Sequence, residues 1–289
     1  MDTQLLKAFV TVVDQGSFSE AAETLHLTQP AVSKRLATLE QQLGGPLIER
    51  GARQLRLTDA GTRLLPHARR ILDELHNARL SLTDPGSEVA GPLPLIASHH
   101  IGLHHLPAWL RRLNREHPAV NVALQFMDSE SGYGQMRRRT AELAFVTLND
   151  SMDRTFEVHA SWLDPMAFVC SPDHPLAQMV APGLTELARY DALLPEAGTA
   201  TYRTISRLFL EADLTLRPQM PTNYLETIKV MTGVGLGWSV LPQRMVDHSL
   251  KTMPIPHPVT RRLGAVGLRG RILSPAAHAL LAIVEDEAP

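Results

Sequence analysis

The stretch LTQPAVSKRLATLEQQLG, Leu27 to Gly44, decides how this chain is read. Thr28 is a residue type that caps helix N-termini. Pro30 follows in the first turn, where it gives up only a backbone N–H that has no intrahelical partner. Past it, Val32, Leu36, Leu39 and Leu43 recur at steps of four, three and four, which is one face of an α-helix. The other face carries Gln29, Ser33, Lys34, Arg35 and Thr38, short polar and basic side chains of the types that meet phosphates and base edges in a major groove. Taken alone, the segment reads as readily as a solvated amphipathic helix; its neighbours separate the two readings.

Upstream, the spacing of Leu5, Phe9, Val12 and Val13 predicts a helix over Gln4 to Asp14 that stops at Gly16. A second helix runs from Ser19 to about Leu25, capped by Ser17 or Ser19, with Ala21, Ala22 and Leu25 inward. Only HLT then precedes the opening stretch. Two short helices joined by about three residues, the second with a polar and basic face, form a helix-turn-helix. In that arrangement Ala21, Ala22, Leu25, Val32 and Leu36 are core. Downstream, PLIERGARQLRLTDAG holds two short apolar segments around a basic turn at Gly51, a hairpin wing whose Arg50 and Arg53 are expected to reach backbone or minor groove. Thr58 caps a long helix, about Asp59 to Leu82, that is apolar over nearly two faces and is expected to pair with its copy in a second subunit.

Composition narrows the class. The 289 residues suggest two or three domains, and 44% hydrophobic with 20% charged residues is ordinary for a folded soluble chain. No apolar run is long enough to span a membrane, and the start, MDTQLLKAFV, carries an early acid and no apolar core, so no secretory signal is expected and the cytoplasm is the expected location. Cys170, the single cysteine, lies in the apolar run MAFVCSP and reads as a buried, inert thiol. The net charge of −2 hides an asymmetry: Thr28 to Arg70 holds eight basic residues against three acids. A basic segment in a near-neutral chain points to a polyanion bound by one module.

TDPGSEVAGP, Thr83 to Pro92, is a linker by composition. Beyond it, short apolar strands alternate with helical stretches: LPLIAS, a helix to Glu116, VNVALQF, a helix to Thr140, ELAFVTL, then MAFVCS, DALLPE and TIKVMTGVGLGWSVLP. That alternation implies a parallel sheet with crossover helices. No internal repeat or low-complexity tract is present.

At this point the chain resembles the LysR-type transcriptional regulators along its whole length. Residues 5–61, LLKAFVTVVDQGSFSEAAETLHLTQPAVSKRLATLEQQLGGPLIERGARQLRLTDAG, carry the resemblance most specifically. Weaker marks follow in order: LPAWLRRLNREHPAVNVAL, AELAFVTL, SPDHPLA, VMTGVGLGWSVLP and GRILSPAAHALLAIV. The resemblance implies an α/β protein with a helix-rich N-terminal module. Residues 1–58 would be a winged helix-turn-helix DNA-binding domain and 59–90 a dimerisation helix and hinge. Residues 91–289 would be an effector-binding domain of two Rossmann-like subdomains, I over 91–162 and 265–289 and II over 163–264, like periplasmic binding proteins and hinged by two crossing strands. It also implies that Ser17, Phe18, Thr28, Gln29, Pro30, Ser33, Lys34, Arg50 and Arg53 face DNA. Gln29 can read an adenine edge bidentately, Pro30 can touch a thymine methyl, and Lys34 can take a guanine edge or a phosphate; Arg50 and Arg53 position without specifying. Double-stranded operator DNA, a small-molecule effector, a second or fourth copy of the chain and RNA polymerase are the expected partners, with no cofactor.

In an open α/β sheet ligands bind beyond the carboxyl ends of the strands, where helix N-termini present unpaired N–H groups. IASHH puts Ser98, His99 and His100 at such a turn, and FVTL puts Thr147 nearby. PEAGTATYR adds Gly198, Thr199, Thr201, Tyr202 and Arg203, and TNYLE adds Thr222 and Asn223. Hydroxyl-rich strand ends suit a carboxylate, and by resemblance small organic anions are the usual cargo; the acids Asp128 and Glu130 in MDSESG weigh against a strongly anionic one. HHIGLHH places His100 and His104 on one helix face, but two imidazoles with no third ligand following do not make a metal site, so no metal is expected; a pH-sensitive pocket is the stronger reading.

An enzyme is disfavoured: no GxSxG elbow appears, and GVGLG lacks the spacing of a dinucleotide fingerprint and reads as packing glycines at a tight turn. A solute-binding protein shares the α/β architecture, but that class is exported and lacks the N-terminal module.

Overall fold

A computed structural model describes residues 2–49, 55–80, 89–149 and 152–288. The chain divides into two compact units: one is residues 1–87 with 270–273, the other residues 88–269 with 274–289.

The first unit is helical. α1 (Thr3–Gln15) is capped by Asp2, whose carboxylate accepts from the Gln4 N–H, and closes on Gly16 at φ 67°. α2 (Phe18–Thr24) starts on Ser17 and α3 (Gln29–Leu43) on Thr28, whose hydroxyls accept from the Glu20 and Ala31 N–H groups. Between them the chain turns at His26, φ 53°, and the Leu27 N–H returns to the Ala22 carbonyl at 2.9 Å. Leu6, Phe9, Val12, Ala21, Val32, Leu36 and Leu39 are buried together, so the 3.6-residue periodicity of all three helices converges on one core. Leu25 is only half-buried at its edge.

After α3, Ile48 and Leu57 form an antiparallel bridge, and the Glu49 N–H meets the Arg56 carbonyl at 2.9 Å, the base of a hairpin. The Glu40 carboxylate accepts from the Leu47 and Ile48 N–H groups at 2.8 and 3.3 Å and holds that base against α3. Arg50 and Arg53 lie outside the described residues. α4 (Asp59–Leu80) begins on Thr58, whose hydroxyl accepts from the Gly61 N–H. Its Ala68 is buried and Leu64, Leu65 and Leu72 pack on the helical core, whereas Ile71 and Leu75 are exposed.

The second unit is α/β. In chain order it contains β1 (Gly91–Ala97), α5 (His99–His104), α6 (Leu106–Glu116), β2 (Val120–Phe126), α7 (Ser129–Arg137), β3 (Leu143–Thr147) and β4 (Phe156–Cys170). There follow α8 (Leu184–Leu187), β5 (Ala192–Leu193), α9 (Ala200–Glu211), β6 (Pro218–Gln219), α10 (Leu225–Gly233), β7 (Trp238–Pro242), β8 (Lys251–Met253), β9 (Val259–Leu268) and α11 (Pro275–Glu287). The single helix expected from His99 to Glu116 is two, broken at His105, where φ −121° and ψ −56° leave the helical region.

The expected parallel sheet is mixed. Its order is β2-β1-β3-β9-β4-β7-β5-β6, with β8 on β4. β1 pairs parallel with β2 and β3, and β5 pairs parallel with β6 and β7, as the alternation predicted. Antiparallel β4 and β9 join the two groups into one sheet. Over β4's 15 residues its first part pairs with β9 and its last five pair with β7. These two strands thus run from one lobe of the unit into the other.

The second lobe closes around Trp238, which is fully buried, lies 5.6 Å from the Phe209 ring at an interplanar angle of 9°, and donates from Nε1 to the Leu187 carbonyl. The glycine run before it is structural: Gly235 sits at φ +89°, and a Cβ on Gly237 would stand 2.3 Å from the Asp191 carbonyl oxygen. Cys170 is buried and unbridged, and burial pushes its thiol up to about 11, which keeps it protonated and unreactive at neutral pH. Among the described residues no helix is long and apolar enough to cross a membrane.

Candidate functional site

Two sites take shape, one in each unit. In the helical unit, α3 turns Val32, Leu36 and Leu39 into the core, and this fixes which side chains point out. Thr28, Gln29, Pro30 and Lys34 are exposed, and Ser33 is half-exposed, its hydroxyl accepting from Gln29 Nε2 at 3.2 Å. Gln29 and Ser33 therefore hold each other one turn apart on the outer face. Arg35, on the same face by spacing, bends back so that its guanidinium donates to Gln4 Oε1 on α1. Ser17 spends its hydroxyl on the α2 cap, and Phe18 lies half-buried against the helical core.

In the α/β unit a cleft opens where strand ends from the two lobes meet. Seven of the eleven residues expected there line it: Ser98, His99 and His100 at the start of α5, Thr147 at the end of β3, Thr199 and Thr201 at the start of α9, and Asn223 before α10. Gly198, Tyr202, Arg203 and Thr222 do not. The Gly198 carbonyl is taken by the Arg203 guanidinium, which also donates to Asn149 Oδ1 at 2.9 Å, and Tyr202 packs on the second lobe's core. Asp128 and Glu130 line the cleft as their position suggested, Asp128 capping α7 through bonds from the Ser131 N–H and Oγ. Burial pushes the Glu130 carboxyl up from its ordinary value.

Each hydroxyl has a different availability. Thr199 Oγ1 accepts from the Tyr202 N–H and donates to the Glu196 carbonyl, so it is committed to the fold. Asn223 Oδ1 accepts from the Glu196 N–H. Ser98 sits in N-cap geometry at φ −66° and ψ 147°, yet its side chain makes no cap hydrogen bond, so this cleft-lining residue has a hydroxyl with no helix duty.

The residue missed by sequence reading is Arg261, on β9. It stands directly across the β4–β9 ladder from Asp164, and its Nε donates to Asp164 Oδ2 at 2.7 Å. Asp164 is only 4% exposed. Arg261 reaches the cleft, where Nη1 stands 3.5 Å from Thr201 Oγ1 and the buried Nη2 has no hydrogen-bond partner. Nothing in VTRRLGAVGL marks this arginine, because its importance comes from the strand opposite.

Around it lie the histidines. His99 packs against Phe126 and Tyr224. His100 is buried beside Arg261, and burial first, with the guanidinium's positive charge second, pulls its imidazole down to about 2. His105, expected as a helix flank, is buried at the α5–α6 break against Trp109 and Trp162; its Nε2 accepts from Arg244 Nη1 at 2.8 Å. Burial and Arg244 pull it down to about 3. Both rings are therefore uncharged at neutral pH, which removes them as proton switches near pH 7 and leaves a lone pair on each.

Comparison with known proteins agrees with this architecture. Residues 3–62 match the bacterial regulatory helix-turn-helix proteins of the lysR family, and residues 86–289 match the LysR substrate binding domain. A RuBisCO operon transcriptional regulator of Allochromatium vinosum is 30% identical over 98% of this chain and 95% of its own length. Among solved structures, a full-length OxyR variant from Pseudomonas aeruginosa is 25% identical, with a TM-score of 0.78 over 99% of this chain and 95% of its own. The effector binding domain of QuiR in complex with shikimate, 18% identical, shares the fold over 67% of this chain and 95% of its own with a TM-score of 0.60. The helix-turn-helix on a capped, outward-facing α3 and the two-lobed α/β unit that follows it in the chain are the two parts of one family, and this chain belongs to it: the LysR-type transcriptional regulators, which are not enzymes.

Proposed function

We propose that this regulator binds specific duplex DNA in the cytoplasm through Thr28, Gln29, Pro30, Ser33 and Lys34, with Ser17, Phe18, Arg50 and Arg53 contacting the flanking backbone or minor groove. A small organic anion held between the two lobes of the α/β unit then changes that binding or the bend it imposes. The observation that carries the ligand reading is Arg261, which lines the cleft and whose buried Nη2 has no hydrogen-bond partner in the protein. A buried guanidinium N–H left unpaired is costly, and a carboxylate oxygen is the acceptor that removes the cost best. The uncommitted Ser98 hydroxyl supports the same class. Shikimate, bound by the similar domain of QuiR, is itself a small carboxylate.

Self-association supports the DNA reading. The exposed Ile71 and Leu75 lie four residues apart on α4, an apolar seam for a second copy, and two paired helix-turn-helix units read two half-sites. A dimer or tetramer that contacts RNA polymerase completes the proposed mechanism.

Fluorescence anisotropy on DNA from upstream of the chain's own gene, against a scrambled duplex in a salt series, tests the DNA half. Discrimination between the two, with log K falling by about 0.9 per phosphate neutralised for each unit of log salt, is the expected result; equal weak binding to both argues against it. A panel of small carboxylates added to the complex tests the ligand half. The reading expects Ser98→Ala to keep basal DNA affinity and to blunt the response to whichever carboxylate acts. A response to neutral polar compounds alone would replace the anion reading.

A further inference from the structure

His100, which lines the cleft, forms a cluster with His104 and Glu226, which do not. His100 and His104 stand one turn apart on α5, with ring centroids 4.9 Å apart. Although 122 residues separate them along the chain, His104 Nε2 lies 2.9 Å from Glu226 Oε1 in the first turn of α10. His100 is 4% exposed, and neither of its ring nitrogens has a hydrogen-bond partner. An uncharged imidazole with a buried, idle lone pair is poorly satisfied by the protein alone. One donor atom from each of the three side chains lies within 4.8 Å of the other two.

We infer that the chain binds one divalent transition-metal ion, zinc by its ligand set, through a ring nitrogen of His100, His104 Nε2 and the Glu226 carboxylate. Two imidazoles and a carboxylate are a three-ligand zinc set that leaves a fourth position open. Zinc holds nitrogen and oxygen donors at about 2.0–2.2 Å, which places tetrahedral ligand atoms about 3.4 Å apart. The side chains of His104 and Glu226 are 32% and 36% exposed, so both can rotate to that spacing. A second grouping, His100 with His105 and Asp164, is as compact but already spent. Arg244 occupies the His105 Nε2 lone pair, and Arg261 occupies Asp164 Oδ2. Because Asp164 neutralises Arg261, Glu226 is left to supply the negative charge for a cation. Since α5 belongs to the first lobe and α10 to the second, the ion ties together the two walls of the cleft. The inference goes beyond the anion reading and does not rest on it.

The test uses untagged full-length protein stripped with a chelator, without DNA or effector, so its outcome is separate from that of the proposed function. Zinc is titrated in competition with a chromophoric chelator, and cobalt(II) replaces zinc as a spectroscopic probe. One equivalent per chain is expected, with visible cobalt absorption of low-coordinate N/O type. His104→Ala and Glu226→Gln each weaken zinc binding at least tenfold and abolish that spectrum, whereas His248→Ala, at an exposed histidine elsewhere, leaves both unchanged. Matching melting temperatures of the metal-free variants check that they fold. Absence of stoichiometric zinc binding in the unmodified chain overturns the inference, as does binding that either ligand variant leaves intact.

Discussion

The outer face of α3 and the cleft of the α/β unit are both rows of polar side chains at helix starts, yet they are assembled in opposite ways. Gln29, Pro30, Ser33 and Lys34 lie within six consecutive residues of one helix, and the burial of Val32 and Leu36 determines their direction. The cleft takes Ser98 from one strand end, Thr147 from another, Thr199 and Asn223 from the second lobe and Arg261 from a crossing strand. A site on one helix inherits its geometry from the helical repeat, whereas a site on five chain segments inherits it from sheet register.

The sharpest way to break the comparison is Asp164→Ala. The cleft depends on one cross-strand pair, and removing the carboxylate leaves the Arg261 guanidinium buried and unpaired, which costs about 3–5 kcal/mol. Calorimetry should show the α/β unit's transition falling steeply while the helical unit's stays in place; a loss below about 1 kcal/mol would mean that Arg261 finds another partner. The converse variant is Glu40→Ala, which leaves the Leu47 and Ile48 N–H groups at the hairpin base without their acceptor. About 1–3 kcal/mol should be lost from the helical unit alone, read by denaturant unfolding.

Acid should act on the α/β unit through its buried uncharged histidines, His174 together with His100 and His105. His174 Nδ1 accepts from the Leu176 N–H at 3.2 Å, the residue is 8% exposed, and burial lowers its pKa. Folded chains therefore bind fewer protons than unfolded ones once the pH falls below the ordinary histidine value near 6.5, so stability is complete above it and declines below it. Each such histidine contributes a slope of up to about 1.4 kcal/mol per pH unit. His174→Gln should make the dependence of that unit's Tm on pH shallower below about 6.5, the remainder belonging to His100 and His105; an unchanged slope would remove His174 from the set. Smallest in stability is Lys34→Ala, an exposed site where a change within about 0.5 kcal/mol is expected. Its effect belongs to DNA: if Lys34 meets a phosphate, the salt slope becomes shallower by about 0.9 and sequence preference survives, whereas loss of preference assigns it to a base edge.

Legibility followed the same division. Thr28 as cap, Pro30 in the first turn and the apolar stripe of α3 were readable because each acts within one turn of itself. So were β1, β2 and β3, whose apolar runs sit between clear helix signals. β9 went unread, since VTRRLGAVGL turns from alternating to continuously buried as it passes from one lobe into the other. With it went Arg261, and the expectation of a wholly parallel sheet. Glu40, one of three acids in a basic segment by sequence, proved to be the acceptor that fixes the hairpin base.

By itself the sequence determined the family, the helix-turn-helix with its outward residues, the buried cysteine and the strand ends that line the cleft, all set by capping, periodicity and composition over short spans. Only the tertiary structure decided that Asp164 faces Arg261, that Gly198 and Tyr202 turn away from the cleft, and that Glu226 meets His104. Those contacts arise from strand register and lobe packing between residues about a hundred positions apart, and no local pattern of side chains encodes a distance of that kind.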